Sequence, residues 1–164
     1  MENKNVDIQN KMLDVEKNFS CDELINYFEE DFTKEEILRK MVSLIAKNSE
    51  DIQNENELFE NVIAREEIGS TGIGIGIAIP HARIEGGKKI TMAISLLKNP
   101  IAFDSIDGEP VKFIIMVTAP MEKGKEYLEM IATLMRAFKN QDYLKRIINV
   151  TNSLDLKKAL EDFR

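Results

Sequence analysis

Apolar residues in the first third of the chain recur every three to four positions, which predicts amphipathic helices. Residues 1–19 are mostly polar and of mixed charge, and we expect them to form an N-terminal lead-in to the folded part. Ser20 and Glu23 have the spacing of a capping box, which predicts the start of a short helix. The apolar face of that helix is expected to comprise Leu24, Ile25 and Phe28.

Two longer helices are predicted to follow. Thr33 and Glu36 repeat the capping-box spacing, and apolar residues behind them recur at helical intervals to about Asn48. Asn56 can cap a third helix, because its side chain accepts hydrogen bonds from the free N–H groups of a first turn. The run Gly69-Ser70-Thr71-Gly72 is predicted to end that helix, since it concentrates residues that favour turns.

A period of two replaces the helical period in the middle of the chain. Isoleucines alternate with glycine or alanine between residues 73 and 79, which predicts one strand with a bulky face and a nearly bare face. Residues 90–97 and 111–118 are mostly apolar, as expected of central strands. Asn99-Pro100 and Asp107-Gly108 are predicted to form turns between those two strands.

The helical period returns after Pro120. A long helix over about residues 123–138 is predicted to pack one apolar stripe against the sheet, and two shorter helices follow it. The stripe is expected to comprise Leu128, Ile131, Leu134, Met135 and Phe138. Because helices both precede and follow the strands, we predict a single α/β domain over residues 20–164, with a central mixed β-sheet flanked by helices on both faces.

Composition then restricts the classes of function. The 164 residues, 43% of them hydrophobic, suffice for the core of one domain. The 22 basic and 29 acidic residues give a net charge of −7, which argues against nucleic-acid binding through phosphate neutralisation. The N-terminus is polar and charged, and the longest apolar runs are far shorter than a membrane span. We therefore expect a cytoplasmic protein without direct membrane insertion.

The sequence predicts neither a metal site nor a nucleotide site. Cys21 is the only cysteine, so no intrachain disulfide can form, and no Cys/His cluster has the spacing of zinc ligands. Gly72, Gly74 and Gly76 match a dinucleotide-binding loop poorly, because the third glycine is misplaced and a strand follows in place of a helix. We expect no cofactor.

His81 is the only histidine and the first candidate for chemistry. It follows Pro80 at the end of the predicted glycine-rich strand, and α/β folds often place their sites at strand ends. Arg65 and Glu66 close the predicted third helix, and an arginine can bind two phosphate oxygens at once. Position alone also fits a histidine without a role and an arginine at a solvated helix end.

Two longer runs resemble a known family. Residues 65–82, REEIGSTGIGIGIAIPHA, resemble the active-site signature of type-2 enzyme IIA domains. These domains are the fructose/mannitol-type phosphoryl carriers of the bacterial phosphoenolpyruvate-dependent sugar phosphotransferase system. Residues 100–111, PIAFDSIDGEPV, are similar to the same family, especially to its nitrogen-regulatory branch. The resemblance extends over about residues 20–164.

This resemblance implies phosphohistidine chemistry that needs no metal or cofactor. His81 would accept a phosphoryl group from the phosphohistidine of the carrier protein HPr and pass it to a cysteine of a IIB domain. Imidazole suits this role because its unperturbed pKa of about 6.5 leaves it largely neutral and nucleophilic in the cytosol. By resemblance, Arg65 would contact the phosphoryl oxygens and Glu66 would orient Arg65. Thr71 and nearby backbone amides would add hydrogen bonds.

One position departs from the family pattern. Members usually carry a second histidine, followed by leucine, near the start of the long helix, and Tyr127 stands there in this chain. A tyrosine hydroxyl donates a hydrogen bond but stays neutral, so it balances phosphoryl charge less well than a histidine. We expect the hydroxyl to point towards His81. The alternative is that the ring only covers the edge of the core.

Two functions are compatible with these residues. The first is a transport component that serves a IIB/IIC pair for fructose, mannitol or a related sugar. The second is a regulatory, nitrogen-type IIA module whose phosphorylation state controls partner proteins. Both functions require protein partners, and in both we expect His81 to carry the phosphoryl group.

Overall fold

A mixed sheet forms the centre of the computed structural model, which describes residues 24–161. Its strands are β1 (Ile25–Phe28), β2 (Gly72–Gly74), β3 (Ile77–Ala78), β4 (His81–Ile84), β5 (Thr91–Ile101) and β6 (Val111–Pro120). The strand order is β1-β5-β6-β3-β2, and β4 also pairs with β6. The central pair, β5 and β6, is antiparallel, whereas β1 runs parallel to β5 and both β3 and β4 run parallel to β6.

Helices cover both faces of this sheet. They are α1 (Lys34–Asn48), α2 (Glu55–Ile68), α3 (Gly124–Phe138), α4 (Gln141–Ile148) and α5 (Ser153–Glu161), with a 3₁₀ turn (Met121–Lys123) before α3. One apolar core joins α1 and α2 to the sheet, and a second joins α3, α4 and α5 to it. This arrangement confirms the predicted α/β fold with a central mixed sheet. No helix within residues 24–161 has the length and apolar character needed to cross a membrane.

Side-chain alternation along the central strands separates the two cores. Ala93 and Leu97 of β5 pack with α1 and α2, whereas Met92, Ile94 and Leu96 pack with the helices on the opposite face. Aromatic rings in the second core contact one another in the order Phe113, Phe138 and Tyr143. The sheet is therefore buried on both faces, which explains why its central strands are almost continuously apolar.

The first predicted helix is wrong over the described residues. Residues 25–28 form β1, which pairs in register with β5 from Ile25 opposite Ile94 to Phe28 opposite Leu97. A four-residue segment is too short for a stable helix, and isoleucine and aromatic residues favour strands once a neighbouring strand is available. Ser20 and the lead-in predicted over residues 1–19 lie outside the described residues.

The glycine-rich segment is a tight hairpin, not the single strand predicted over residues 73–79. Its strands β2 and β3 are antiparallel, and the chain reverses at Gly74, Ile75 and Gly76 with φ angles of +92°, +55° and +79°. Glycine adopts positive φ without steric cost, which permits the reversal. The Asp107 carboxylate fixes the turn because it accepts a hydrogen bond from the Ile75 N–H at 2.9 Å.

Two further local predictions differ from the structure, and one is confirmed. Asn54, not Asn56, caps α2, and its side chain accepts from the Glu57 N–H at 3.1 Å. Asn99-Pro100 lies within β5, at a shift in its register with β6, and does not form a turn. Asp107-Gly108 does form part of a turn, in which the Gly108 N–H donates to the Ser105 carbonyl at 2.9 Å.

The apolar stripe of the long helix is rotated from its predicted position. Leu134 and Phe138 are buried as predicted, and Ile131 packs against the core. Leu128 and Met135 are exposed by 66% and 36%, so their predicted burial is wrong. Residues of the adjoining face are buried in their place: Tyr127, Met130, Thr133 and Ala137. This rotation brings Tyr127 to the sheet.

The corrected helix start leads to a test of stability. Asn54→Ala should lower the free energy of unfolding by about 1 kcal/mol, because the first turn of α2 loses its side-chain acceptor. Asn56→Ala is the matched control: its side chain is exposed within the helix, where alanine is favoured, so stability should hold or rise slightly. Denaturant unfolding of both variants measures this, and a larger loss in the Asn56 variant would contradict the assignment.

Candidate active site

His81 begins β4, and backbone hydrogen bonds hold the chain on both sides of it. The Pro80 carbonyl accepts from the Val117 N–H at 2.9 Å, and the Ile79 N–H donates to the Thr71 carbonyl at 3.0 Å. The imidazole Nδ1 lies 2.7 Å from the Ile79 carbonyl oxygen. Because a carbonyl oxygen can only accept, Nδ1 must carry the proton. In the neutral ring the lone pair is therefore on Nε2.

Arg65 reaches the opposite side of this ring from the last turn of α2. Its Nε donates to His81 Nε2 at 3.1 Å, and its Nη1 donates to the Gly69 carbonyl at 2.8 Å. Since a guanidinium is always protonated and can only donate, this contact also requires a lone pair on Nε2. Two independent hydrogen bonds thus select the same tautomer. The structure brings His81 and Arg65 into direct contact.

The surroundings keep this imidazole neutral. Burial is the main cause that lowers the pKa of His81 from its ordinary value of 6.5, and the positive charge of Arg65 lowers it further. The hydrogen bond to Ile79 and the negative charge of Glu66 raise the pKa, but they do not reverse the shift. At neutral pH the ring therefore keeps an unprotonated Nε2, whose lone pair accepts the hydrogen bond from Arg65 and which a nucleophile requires.

The side chains of Glu66 and Thr71 are hydrogen-bonded to each other. The Glu66 carboxylate accepts from the Thr71 N–H at 2.9 Å and from the Thr71 hydroxyl at 2.6 Å, and Lys34 Nζ lies 3.0 Å from it. The sequence predicted that Glu66 orients Arg65 and that Thr71 donates to a phosphoryl group. In the structure Glu66 contacts Thr71 and Lys34, and both Thr71 donors are engaged by Glu66. These contacts hold the loop after α2.

Tyr127 lies beside the histidine, on the first turn of α3. Its ring centroid is 5.7 Å from that of His81, with the planes inclined by 59°. The residue is buried, and burial raises the pKa of Tyr127 to about 12, although the charges of Arg65 and Arg83 act in the opposite direction. The hydroxyl therefore stays protonated. The structure places Tyr127 against His81 through a ring-to-ring contact.

Sequence reasoning assigned no role to two residues in this region. Lys34 is the first residue of α1 and forms an ion pair with Glu66. The two residues are too far apart in the sequence for any local spacing to indicate this pair. Arg83 follows His81 by two positions, and the guanidinium lies 5.5 Å from the Tyr127 ring centroid. The spacing of two on a strand could have indicated that Arg83 shares a face with His81. No group of three or more metal-binding side chains occurs among residues 24–161.

Fold and site together define an α/β domain that presents one neutral histidine beside an arginine. Residues 11–163 match the family model described as phosphoenolpyruvate-dependent sugar phosphotransferase system, EIIA 2. The chain belongs to this family, as its sequence predicts. His81 and Arg65 both lie in the segment that carries the resemblance.

Curated relatives include both regulatory and sugar-specific proteins. A nitrogen regulatory protein of Pseudomonas aeruginosa is 33% identical over 130 residues, which are 79% of this chain and 84% of that protein. One of Bradyrhizobium diazoefficiens is 37% identical over 95 residues, 58% of this chain and 62% of that protein. The fructose-specific EIIA component of Haloferax volcanii is 26% identical over 140 residues, 85% of this chain and 90% of that protein.

Solved structures share the fold. The nitrogen regulatory protein IIA-Ntr of Neisseria meningitidis has a TM-score of 0.73 and 30% identity, and covers 82% of this chain and 90% of its own. The mannitol enzyme IIA of Escherichia coli, solved in complex with phosphorylated enzyme IIB, has a TM-score of 0.63 and 19% identity. It covers 84% of this chain and 94% of its own. At that identity the second comparison supports the fold alone.

The neutral state of the histidine can be tested by NMR. Because His81 is the only histidine, one imidazole signal reports its titration, and its midpoint should fall below 6.5. Arg65→Gln should raise the midpoint relative to the wild-type protein, since a positive charge that lowers the pKa of His81 is removed. A wild-type midpoint at or above 6.5 would contradict the described environment.

The lowered pKa of His81 also predicts how the stability of the protein changes with pH. The unfolded chain binds a proton at His81 more readily than the folded one, so the contribution of His81 to the free energy of unfolding decreases as the pH falls through 6.5. Above that pH the contribution is constant. His81→Gln should flatten this part of the pH profile, which thermal unfolding between pH 5 and 8 can measure.

Proposed function

We propose that this protein is a cytoplasmic phosphoryl carrier of a sugar phosphotransferase system. It accepts a phosphoryl group from the phosphohistidine of HPr on His81 and passes it to a cysteine of a IIB domain during sugar uptake. One observation carries the proposal: the lone pair of a neutral His81 Nε2 is directed at the guanidinium of Arg65, 3.1 Å away. A nucleophile and a cation for phosphate oxygens are thus already adjacent.

The proposed transfer would use this geometry as follows. The Nε2 lone pair forms a bond to phosphorus while the phosphorus–nitrogen bond of the donor breaks, and its electron pair returns to the donor imidazole. His81 keeps its proton on Nδ1, where the Ile79 carbonyl accepts it and stabilises the positive charge that develops on the ring. No proton has to leave His81. The phosphorylated ring is then the donor to a cysteine thiolate.

Arg65 must exchange partners during this step. The lone pair that accepts its Nε–H is used for the new bond to phosphorus, so the contact with Nε2 cannot persist in the phosphorylated protein. A phosphoryl oxygen next to Nε2 takes its place and forms a stronger, charge-assisted hydrogen bond. The bond from Nη1 to Gly69 keeps the guanidinium near the histidine meanwhile.

Glu66 and Thr71 support the nucleophile from a distance. Glu66 fixes Thr71, the Thr71 carbonyl accepts from the Ile79 N–H, and the Ile79 carbonyl binds Nδ1 of His81. We propose that this chain of hydrogen bonds orients the imidazole. Tyr127 limits ring movement on the other side through its contact with His81. Both Glu66 and Thr71 therefore act on His81 and not on the phosphoryl group.

A regulatory role is the second candidate. The nitrogen regulatory proteins of Pseudomonas aeruginosa and Neisseria meningitidis are 33% and 30% identical to this chain, whereas the fructose-specific relative is 26% identical. In such a role His81 would accept the same phosphoryl group, but its phosphorylation state would determine which protein the domain binds. The acceptance step is common to both functions, and only the next step differs.

Phosphorylation can be tested directly. Incubation with phosphoenolpyruvate, enzyme I and HPr should add one acid-labile phosphoryl group, and His81→Ala should abolish the labelling. Thermal unfolding of the variant controls for folding. Labelling that persists in the variant would exclude His81 as the acceptor, since the chain has no other histidine. Transfer of the label onward to a fructose-type or mannitol-type IIB cysteine favours transport, and retention on His81 favours regulation.

Arg65→Lys separates charge from geometry. Lysine keeps the positive charge but lacks the rigid guanidinium that donates to Nε2 and Gly69 together. Transfer from phospho-HPr should slow by about tenfold, equivalent to ~1.4 kcal/mol in the activation barrier, with little change in thermal stability. Arg136→Lys on the exposed side of α3 is the control. A sharp loss of stability with an unchanged rate would show that Arg65 is structural.

A further inference from the structure

Arg83 occupies a position that the transfer chemistry described above does not use. It follows His81 by two residues on β4, so both side chains leave the same face of the strand, opposite to Ala82. Its Nη2 donates to the Met121 carbonyl, and its Cζ lies 5.5 Å from the ring centroid of Tyr127. The Tyr127 ring thus contacts His81 and also lies beside the Arg83 guanidinium.

A glycine lies beside the Arg83 guanidinium, and one Arg83 N–H has no hydrogen-bond partner among the described residues. Gly124 has ordinary helical angles, φ −59° and ψ −38°, so its backbone does not require glycine. A Cβ at Gly124 would lie 3.1 Å from Arg83 Nη2, which indicates that the missing side chain accommodates the guanidinium. The Nε of Arg83 is buried and has no hydrogen-bond partner among residues 24–161. A buried donor without an acceptor is unfavourable unless a ligand supplies one.

A phosphorylated histidine carries more negative charge than one arginine can balance, so a second cation beside it would be favourable. A phosphoryl group on Nε2 is a tetrahedral anion that approaches two negative charges, and Arg65 provides only one positive charge beside it. Tyr127 is neutral and adds none. Both Arg65 and Arg83 lower the pKa of Tyr127 against the effect of burial, so both charges act on the phenol next to His81.

We propose that Arg83 is a second phosphoryl-binding arginine, which, opposite Arg65, donates to an oxygen of the phosphoryl group on His81. This inference rests on the proposed function of His81. When the phosphoryl group arrives, the hydrogen bond of Arg83 to the neutral Met121 carbonyl is exchanged for a charge-assisted bond to an anionic oxygen, and the unpaired Nε gains an acceptor. The ligand is a covalently held phosphate dianion.

The pKa of the phosphoryl group itself provides the test. Phosphorylated protein, prepared with phosphoenolpyruvate, enzyme I and HPr, is titrated by ³¹P NMR. Arg83→Gln should raise the phosphoryl pKa by about half a unit or more, because a nearby positive charge that favours the dianion is lost. Arg83→Lys retains the charge and should stay close to wild type. The rate of transfer from phospho-HPr should fall about tenfold in Arg83→Gln.

Arg39→Gln is the matched control. Arg39 also places its guanidinium over an aromatic ring, 3.8 Å from the centroid of Phe59, but it lies on α1 and its side chain is exposed. The control removes the same charge and the same kind of contact, and should leave the phosphoryl pKa and the transfer rate unchanged. If Arg83→Gln does not fold, Arg83→Met, which keeps a long apolar stem, takes its place.

The outcomes separate the two proposals. A rise of the phosphoryl pKa in Arg83→Gln that neither Arg83→Lys nor Arg39→Gln shares supports the inference. An unchanged pKa in Arg83→Gln, or an equal rise in Arg83→Lys, overturns it and leaves the role of His81 intact. Failure of the wild-type protein to become phosphorylated overturns the proposed function and, with it, the role of Arg83.

Discussion

The hydrogen bond between Nδ1 of His81 and the Ile79 carbonyl determines what the site can do. A carbonyl oxygen offers no proton, so this bond assigns the ring proton to Nδ1 and the lone pair to Nε2. With the opposite tautomer, the contact from Arg65 would bring two donors together. The bond depends in turn on backbone pairing, because Thr71 holds the Ile79 N–H and Val117 holds the Pro80 carbonyl. Sheet geometry thus determines which imidazole nitrogen carries the lone pair.

The charged side chains near this bond have separate partners. Arg65 lies against the imidazole, whereas the Glu66 carboxylate is bound by Lys34 and by the two donors of Thr71. The Glu66 side chain is only 5% exposed, and its negative charge raises the pKa of His81, although by less than burial lowers it. The same carboxylate fixes the loop that orients the imidazole. Glu66 therefore fixes the loop through Thr71 and also exerts a weak electrostatic effect on His81.

The spacing of apolar residues was enough to predict the longer helices and the central strands. Periodicity predicted helices α1 and α2 and the central strands, whereas the candidate pair of His81 and Arg65 came from the resemblance to a known family. Residues 25–28 were predicted to be helical, because a four-residue segment is too short to separate the helical period from the strand period, and its pairing with β5 makes it a strand. The glycine hairpin was missed for a similar reason, since Asp107, which fixes Ile75, lies 32 residues away in the chain.

The environment of the site was harder to predict than its central residues. Glu66 and Thr71 are five positions apart across a helix end, where no regular spacing indicates that two side chains meet. Arg83 had the spacing to share a face with His81, but its relation to Tyr127 depends on how α3 rotates against the sheet. That rotation differs from the predicted stripe, because Met130 and Thr133 are buried in place of Leu128 and Met135.

The separation of the two cores has a consequence for how such a site can diverge. Arg65 comes from α2, on one layer of the sandwich, whereas Tyr127 comes from α3, on the other, and His81 lies between them on β4. The sheet shields each layer from packing changes in the other. Substitutions around α3 can therefore alter the Tyr127 side of the imidazole while the guanidinium contact on the α2 side persists. A chain of this fold can therefore keep the contact between Arg65 and His81 while the residues on the other side of the imidazole change.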